Sequence, residues 1–402
     1  MKNGWQRKQL GDVCDVVNGG TPKTGVRKYW GGNHLWITPA EMGKRLSPYV
    51  SETERKITDL GLHDSSARML PPNSVILSSR APIGHLVINT DPMATNQGCK
   101  GLIPGSQLQH KFLYYYLSSI VDELNSLGTG ATFKELSGSK LKEVTVPIAP
   151  LPEQQRIVGI LDKAFDSIAI AKANAEKNLQ NARALFESHL QSVFTQCGEG
   201  WVKTTLEKVL DVQPQNGWSP PAANHSDSGT PVLTLSSVTG FRFRPDKIKF
   251  TSASTDSRRN YWVKNGDFLI TRSNTPELVG HVAIASGISK PTIYPDLIMR
   301  MNPMPDRMMT EFLYYQMRSP ALRKEIIGRA QGANPTMKKI SNGAVKTLPI
   351  AVPSIATQQA IVETLSALTE KSQRLASVYE RKLTALDALK KSLLHMAFTG
   401  AL

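Results

Sequence analysis

Apolar positions along this chain form a pattern that runs through once and then again in the same order. Short apolar runs closed off by Pro, Gly and Asn, such as residues 74–77 and 267–270, read as buried strands. Strand-rich sequence continues to about residue 104 in the first pass. Helical spacing follows over residues 112–124 and, in the second pass, 311–327. A Gly-rich loop comes next (128–132 and 331–336), then a short β-like segment ending at a Pro-punctuated corner (147–152 and 349–353). After each corner the period changes to alternating steps of three and four. The second such stretch places Ile361, Leu365, Leu368, Leu375, Leu386, Leu389, Leu393 and Met396 on one face, with Tyr379 in phase. The first places Ile157, Leu161, Ala164, Ile168, Ala171, Ala175, Ala182 and Leu185 there. No Pro interrupts either stretch between about residues 153–195 and 357–398. Two helices of roughly 60–65 Å are therefore predicted at 1.5 Å per residue. Seams sustained this long predict a coiled coil, with Ala on one side opposite Leu on the other, and the two helices must run antiparallel if the halves of the chain are related by a pseudo-two-fold.

The repetition is a duplication, since its matches keep their order while the offset drifts by small insertions. Residues 5–13 parallel 201–209, Trp5 matching Trp201, at an offset of 196. Gly84-His85 parallels Gly280-His281 at the same offset, and Phe112-Leu113-Tyr114-Tyr115 recurs as Phe312-Leu313-Tyr314-Tyr315. Pro147-Ile148-Ala149 recurs as Pro349-Ile350-Ala351, and Gln154-Gln155-x-Ile157-Val158 as Gln358-Gln359-x-Ile361-Val362. Phe194-Thr195 returns as Phe398-Thr399. The resulting division is 1–152, a first globular domain; 153–197, a first long helix; 198–356, a second globular domain; and 357–402, a second long helix. A circular, pseudo-two-fold internal repeat would bring Leu402 near Met1. The fold class expected is α+β.

Charge separates the roles of these parts. The net charge is +15 over 402 residues, which favours a polyanionic partner, nucleic acid before an acidic membrane surface. Residues 1–152 hold 17 Lys and Arg against 12 Asp and Glu, and residues 198–356 hold 20 against 12. The helical stretches are nearly balanced, at 5 against 5 and 6 against 4. Phosphate contact is thus assigned to the globular domains and protein contact to the helices. Candidate DNA-contacting residues are the loop cations Lys23, Arg27, Lys28, Arg80 and Lys134 in the first domain. In the second they are Arg242, Arg244, Arg258, Arg259, Arg272, Lys338 and Lys339. Arginine suits bidentate contact with guanine edges and lysine suits phosphates. Arg80 and Arg272 stand out because each follows an equivalent strand. The tyrosine pairs at 114–115 and 314–315 read as core. Candidate partner-binding and seam residues are Ile157, Leu161, Ile168, Leu185, Ile361, Leu365, Leu368, Leu375, Leu386 and Leu393. Divergence between residues 19–34 and 213–229 predicts two different reading surfaces.

The chemistry-bearing motifs of an enzyme are missing from the sequence. It has no Walker-type phosphate loop, no G-x-G-x-x-G, no Asn-Pro-Pro-Tyr-type segment and no His or Cys spacing suited to a metal. Cys14, Cys99 and Cys197 are scattered, which fits a reducing compartment. No apolar run reaches the roughly 18 residues of a spanning helix, and the N-terminus shows no secretory signal, so a cytoplasmic protein is expected.

The repeat, the stretch from Leu151-Pro152-Glu153-Gln154-Gln155 to Val158, and the ending Ser392 to Leu402 together resemble the specificity subunits of type I restriction–modification systems. The lead-in Trp5-x-x-x-x-Leu10-Gly11-Asp12-Val13 is similar to the opening of that family's target-recognition domains, while the second copy's 353–362 lacks the Leu-Pro-x-Glu part. The resemblance covers essentially the whole chain. It implies two α/β target-recognition domains separated by two antiparallel helices, each domain reading one half of a split, asymmetric site in double-stranded DNA. It implies two modification (methyltransferase) subunits docked on the helices and one or more restriction subunits beside them. S-adenosylmethionine would belong to those partners, with no cofactor in this chain and no membrane. The helical pair would then act as a ruler, with half-sites on one face about one turn, roughly 34 Å, apart. Two other classes fit the charge pattern: a stand-alone DNA-binding regulator, and a scaffold whose basic heads bind acidic proteins.

Overall fold

The computed structural model describes residues 4–80, 82–130, 134–334 and 336–402. Met1, Ala131 and Thr132 of the first Gly-rich loop, and Pro335 of the second, lie outside the described residues. The molecule divides into two compact units, one of residues 1–175 with 381–402, the other of 176–380. The long helices, Leu151–Gln196 and Ile355–Thr399, are thus each shared between units rather than standing apart as spacers.

In the first unit a five-stranded sheet runs in the order Cys14–Asn18, Cys99–Pro104, Val75–Ser79, Ile83–Asn89, Tyr49–Val50. A smaller sheet packs beside it, Arg55–Ile57, Trp30–Ile37 and Met93–Thr95. Alternation sorts the faces. Val75 and Leu77 point to a core shared with Phe112, Leu113, Leu117, Ile157, Leu161, Leu394 and Ala397. Ile76 joins Leu35, Ile37, Leu70 and Val87 on the other side. The helix expected over 112–124 is in fact two, His110–Ser119 and Val121–Leu127, broken at Ile120.

The second unit repeats the plan. A four-stranded sheet has the order Leu210–Asn216, Ile298–Pro303, Phe268–Thr271, Val282–Ile284, and a five-stranded sheet is built on Thr230–Leu233 and Ile248–Thr251. The helix expected over 311–327 is likewise split, into Thr310–Arg318 and Pro320–Arg329. Pro320 starts the second piece at its first turn, where a missing N–H costs nothing. Mixed strand pairing with segregated helices makes both units α+β.

Aromatic residues explain two of the repeated motifs. Phe112 lies edge-on to Trp5 at 6.3 Å and to Phe398 at 5.1 Å. Phe312 has Trp201 at 5.7 Å and Phe194 at 5.4 Å. The phenylalanine that closes each helix therefore packs on the same core ring as the opening tryptophan of that unit, Phe194 buried and Phe398 partly buried, and full burial of such a ring is worth about 1.5–3 kcal/mol. In the first unit Leu402 accepts a hydrogen bond at its carbonyl from Arg156 at 2.8 Å.

Within each unit the helix segments run antiparallel. Lys172 bonds Asp387 at 2.6 Å and Lys390 lies 5.1 Å over the Phe165 ring in the first unit. In the second, Arg183 bonds Glu380 at 2.8 Å, and the buried Ser372 hydroxyl donates to the Ala182 carbonyl. Ile157, Leu161, Ile168 and Leu365 are buried, Ile157 and Leu161 in the core of the first unit and Leu365 in that of the second, and Ile361 and Leu368 are half-buried. Part of the predicted seam is corrected. Leu185 is 55% exposed and Leu375 43%, while Leu386 and Leu393 are only half-buried. Phe186, Leu190 and Phe194 carry the seam after Ala182, and Leu394 and Ala397 carry it at the other end. Repeated four-residue steps turn the buried face by about 40° each at 100° per residue, away from the facing helix and onto the globular core. Neighbouring apolar pairs, Leu185-Phe186 and Leu393-Leu394, hid that drift in the sequence.

The repeated Gly-His also has a steric cause. Gly84 and Gly280 adopt φ of +111° and +70°. A Cβ there would stand 2.5 Å from Val121 Cγ1 and 2.3 Å from Ile326 Cγ2, on the second of each pair of short helices. Gly280→Ala is expected to destabilise the second unit by about 1–3 kcal/mol, measured as a fall in the denaturant midpoint at unchanged slope.

Candidate nucleic-acid interface

In the first unit the strands Cys14–Asn18 and Val75–Ser79 both run antiparallel to Cys99–Pro104, with Asn18 opposite Lys100 and Ser78 opposite Cys99. Two strand C-termini and one strand N-terminus therefore meet at a single edge of the sheet. The chain after Asn18 passes so close there that a Cβ on Gly19 would lie 2.0 Å from the Asn96 carbonyl, so only glycine fits. Asn96 Nδ2 then donates to Thr21 Oγ1 at 3.0 Å, and Ser79 N to the Gly98 carbonyl at 2.8 Å. Glu135 arrives by a backbone pair with Thr129 (3.0 and 2.9 Å), and Leu136 N donates to the Ser79 carbonyl at 2.8 Å.

That edge gathers charge. One Glu135 oxygen faces Arg80 Nη1 at 3.6 Å, and the other faces Lys100 Nζ at 4.0 Å. Arg80 is half-buried, whereas the Lys100 side chain is only 7% exposed, and its ammonium makes no hydrogen bond among the described residues. Burial pulls the Lys100 ammonium below its ordinary pKa, Glu135 opposes that shift, and Arg80 adds to it. Lys23, Arg27, Lys28 and Lys134 are all exposed. The Lys23 loop is pinned by Trp30 Nε1 on its carbonyl at 3.3 Å, and Lys28 lies 5.9 Å over the Tyr29 ring. Arg55, stacked 3.6 Å over Trp30 and 5.3 Å over Trp36, joins this group, as does Lys100. Neither was singled out in the sequence. Lys100 sits within a strand, where a loop-based search does not look, and Arg55 is aligned with its tryptophan only by sheet pairing.

In the second unit the same edge is formed by Leu210–Asn216, Phe268–Thr271 and Ile298–Pro303. Gly217 repeats the close approach, its Cβ position 2.0 Å from the Tyr294 carbonyl. Arg272 donates to the Asp296 carbonyl at 3.3 Å and faces its carboxylate at 3.9 Å. Asp296 also accepts from the Ser219 hydroxyl. Trp218 stacks on Tyr261 at 5.3 Å beside the loop holding Arg258 and Arg259, both exposed and paired to Asp256 at 3.2 and 3.9 Å. Lys338 and Lys339 pair as a short strand with Ser273 and Asn274, and Lys338 Nζ donates to the Gly332 carbonyl at 2.8 Å. Arg242 is exposed, whereas Arg244 turns back onto the Thr239 carbonyl and holds its own loop together.

Register corrects the matching of Arg80 with Arg272. Val75 pairs with Ile88 and Phe268 with Ile284, which makes Ser79 the counterpart of Arg272 and Ser273 the counterpart of Arg80. Backbone bonds agree: Leu136 N reaches the Ser79 carbonyl, and Ile340 N the Arg272 carbonyl, both at 2.8–2.9 Å. One residue along a strand is the opposite face. The two arginines therefore occupy opposite faces of equivalent strand ends. By the same bridges Glu135 is matched by Lys339, a reversal of charge.

The repeated Gln-Gln-x-Ile-Val also has a structural meaning. Gln154 is fully buried at the start of the first long helix. Its Oε1 accepts from Gln109 N at 2.9 Å, and its Nε2 donates to the Gln107 and Ala149 carbonyls at 2.8 Å. Gln358 repeats this on Met309 N (2.8 Å) and on the Arg307 and Pro353 carbonyls (2.9 and 3.0 Å). Tyr115 and Tyr315 add a second tie, hydroxyl to Asp162 and hydroxyl to Ser366 respectively, so these tyrosines are core residues as read from the sequence.

A buried histidine braces the Arg242 loop. His281 Nδ1 accepts from Gly240 N at 2.9 Å, and its ring stacks on Phe241 at 4.0 Å. Burial and then the neighbouring Arg323 push its pKa down to about 4; the Glu277 backbone opposes this and Arg318 adds to it. Among the described residues no group of three or more His, Cys, Asp or Glu is placed to hold a metal ion. None of their helices is long and apolar enough to cross a membrane.

Relatives share this architecture. The chain is 37% identical over 186 residues to the MjaIX specificity subunit of Methanocaldococcus jannaschii, covering 46% of this chain and 43% of that one. It is 32% identical over 168 residues to the EcoR124I/EcoR124II specificity subunit of Escherichia coli, covering 40% and 41%. These alignments span about two fifths of the relatives' length. The EcoKI specificity subunit of Escherichia coli K12 aligns over 100% of this chain and 90% of its own, at 23% identity. Among solved structures, a chain of a type I R-M system described for its complex assembly and conformational transition superposes with a TM-score of 0.79. It has 19% identity over 99% of this chain and 98% of that one. The HsdS subunit of Thermoanaerobacter tengcongensis gives a TM-score of 0.63 at 18% identity, over 100% and 98%. These two likenesses establish the fold. The family described as the type I restriction modification DNA specificity domain matches residues 2–181 and again 198–379, so the chain belongs to it.

Proposed function

We propose that this chain is the sequence-reading subunit of a type I restriction–modification enzyme, each unit reading one half of a split, asymmetric site in duplex DNA. The observation that carries this is the pair of equivalent sheet edges, built by the same backbone bonds but furnished with different side chains. Glu135 stands where the second unit has Lys339, and Ser79 where it has Arg272. One scaffold with two sets of reading groups gives two unlike half-sites.

Methylation and cleavage would be supplied by modification and restriction subunits, with S-adenosylmethionine bound by the former. In support, seven of the twelve exposed large hydrophobic side chains among the described residues lie on the long helices: Leu151, Ile170, Leu185, Ile355, Leu375, Val378 and Leu389. Apolar side chains facing outward on nearly neutral helices suit protein partners better than phosphate. The family match lends no support to a stand-alone regulator.

Duplex binding by the full chain, purified with co-expressed modification subunits, tests this. Affinity is expected to fall by about 10³-fold or more between roughly 50 and 200 mM salt. Arg272→Ala is expected to weaken binding of the selected site by roughly 10- to 100-fold. A complex that binds no duplex, or binds it without a salt slope, would falsify the reading.

A further inference from the structure

Resting on that reading, we propose that Arg80, Lys100 and Glu135 form a base-pair-reading site in the first unit, one that takes a G·C pair by its major-groove edge. The cluster offers both kinds of group such an edge demands. Guanine presents acceptors at O6 and N7, which an arginine fork meets; cytosine presents its N4 amino donor, which a carboxylate accepts. Arg80 and Glu135 stand side by side at 3.6 Å on a loop-rich edge, with side chains 35% and 42% exposed, so both can turn outward. Lys100 is the buried member, nine-tenths enclosed and without a hydrogen bond among the described residues, lying against Glu135. Its ammonium holds the carboxylate from beneath and keeps the neighbouring arginine free to leave it for a guanine. Exposed Lys134, next to Glu135 in the chain, and Gln97, next to the Gly98 that packs on Arg80, flank the cluster, where a phosphate backbone would run.

Among the described residues the second unit does not repeat this triad at the equivalent positions, and its edge arginine, Arg272, faces Asp296 on the opposite face instead. Ser273, Met299 and Lys339 stand at the corresponding positions, Ser273 and Met299 being buried. Lys339 cannot accept from cytosine. This triad is therefore a property of one half-site only.

The test is selection of a randomised duplex library by the full chain in its co-expressed complex, comparing wild type, Glu135→Gln, Lys100→Met and Arg80→Ala. The wild-type motif is expected to require G·C at one position of one half-site. Glu135→Gln and Lys100→Met are expected to relax that position about 10-fold, and Arg80→Ala roughly 10- to 100-fold. The other half-site should stay intact in every variant and so reports folding within the same molecule. A wild-type motif that all three variants retain unchanged overturns this site alone, leaving the cluster a structural ion triad. A wild-type complex that selects no motif overturns the sequence-reading function itself, and this site with it.

Discussion

Gln358→Ala is expected to destabilise the second unit by about 3–4 kcal/mol, and Gln154→Ala the first by a similar amount. Each glutamine satisfies three buried backbone groups with one planar amide, and alanine leaves all three without that partner. An unsatisfied buried polar group costs about 1–3 kcal/mol, and partial access to water trims the sum. Gln358→Glu separates packing from hydrogen bonding. It keeps the acceptor for Met309 N but sets a carboxylate against the Arg307 and Pro353 carbonyls, so it should be at least as damaging as alanine. Hydrogen exchange locates the effect: protection should fall in residues 176–380 for Gln358 variants and in the other unit for Gln154→Ala. Unchanged protection in both would show that the two amides do not lock the helices to their domains.

Acid is expected to loosen the second unit through His281. The imidazole is held neutral by burial and by Arg323, with a folded pKa of about 4 against 6.5 when unfolded. A base depressed in the folded state contributes nothing adverse above its unfolded pKa. As pH falls from 6.5 toward 4 the unfolded chain takes the proton first, so stability is progressively lost. Each pH unit between those two values removes about 1.4 kcal/mol at most, and the loss reaches roughly 2–3 kcal/mol by pH 4. Protonation also ends the acceptance from Gly240 N, so the loop carrying Arg242 should open first. Arg323 and Arg318 face the ring and would repel the new charge. Denaturant unfolding at a series of pH values is the measurement. His281→Phe should flatten the curve between pH 6.5 and 4, and an equally steep curve in that variant would assign the acid sensitivity elsewhere.

Much of this architecture could be read without coordinates. The duplication, the α+β class, the two long helices and the burial of Ile157, Leu161, Ile168 and Leu365 all follow from periodicity, because the spacing of apolar side chains determines which face can be buried. The family resemblance was likewise carried by residues in plain view. What periodicity leaves open is a shift by one residue wherever two apolar neighbours compete, as at Leu185-Phe186, where contact with a globular core decides. The same one-residue ambiguity separated Arg80 from Arg272, since a strand reverses its face at every step and only hydrogen-bonded register says which step is which. Lys100 and Glu135 lie far apart in the chain and are brought to one edge by sheet pairing. Local sequence therefore determined which elements form and how they recur; long-range pairing and packing decided which charged groups meet, because those contacts depend on partners that no local pattern specifies.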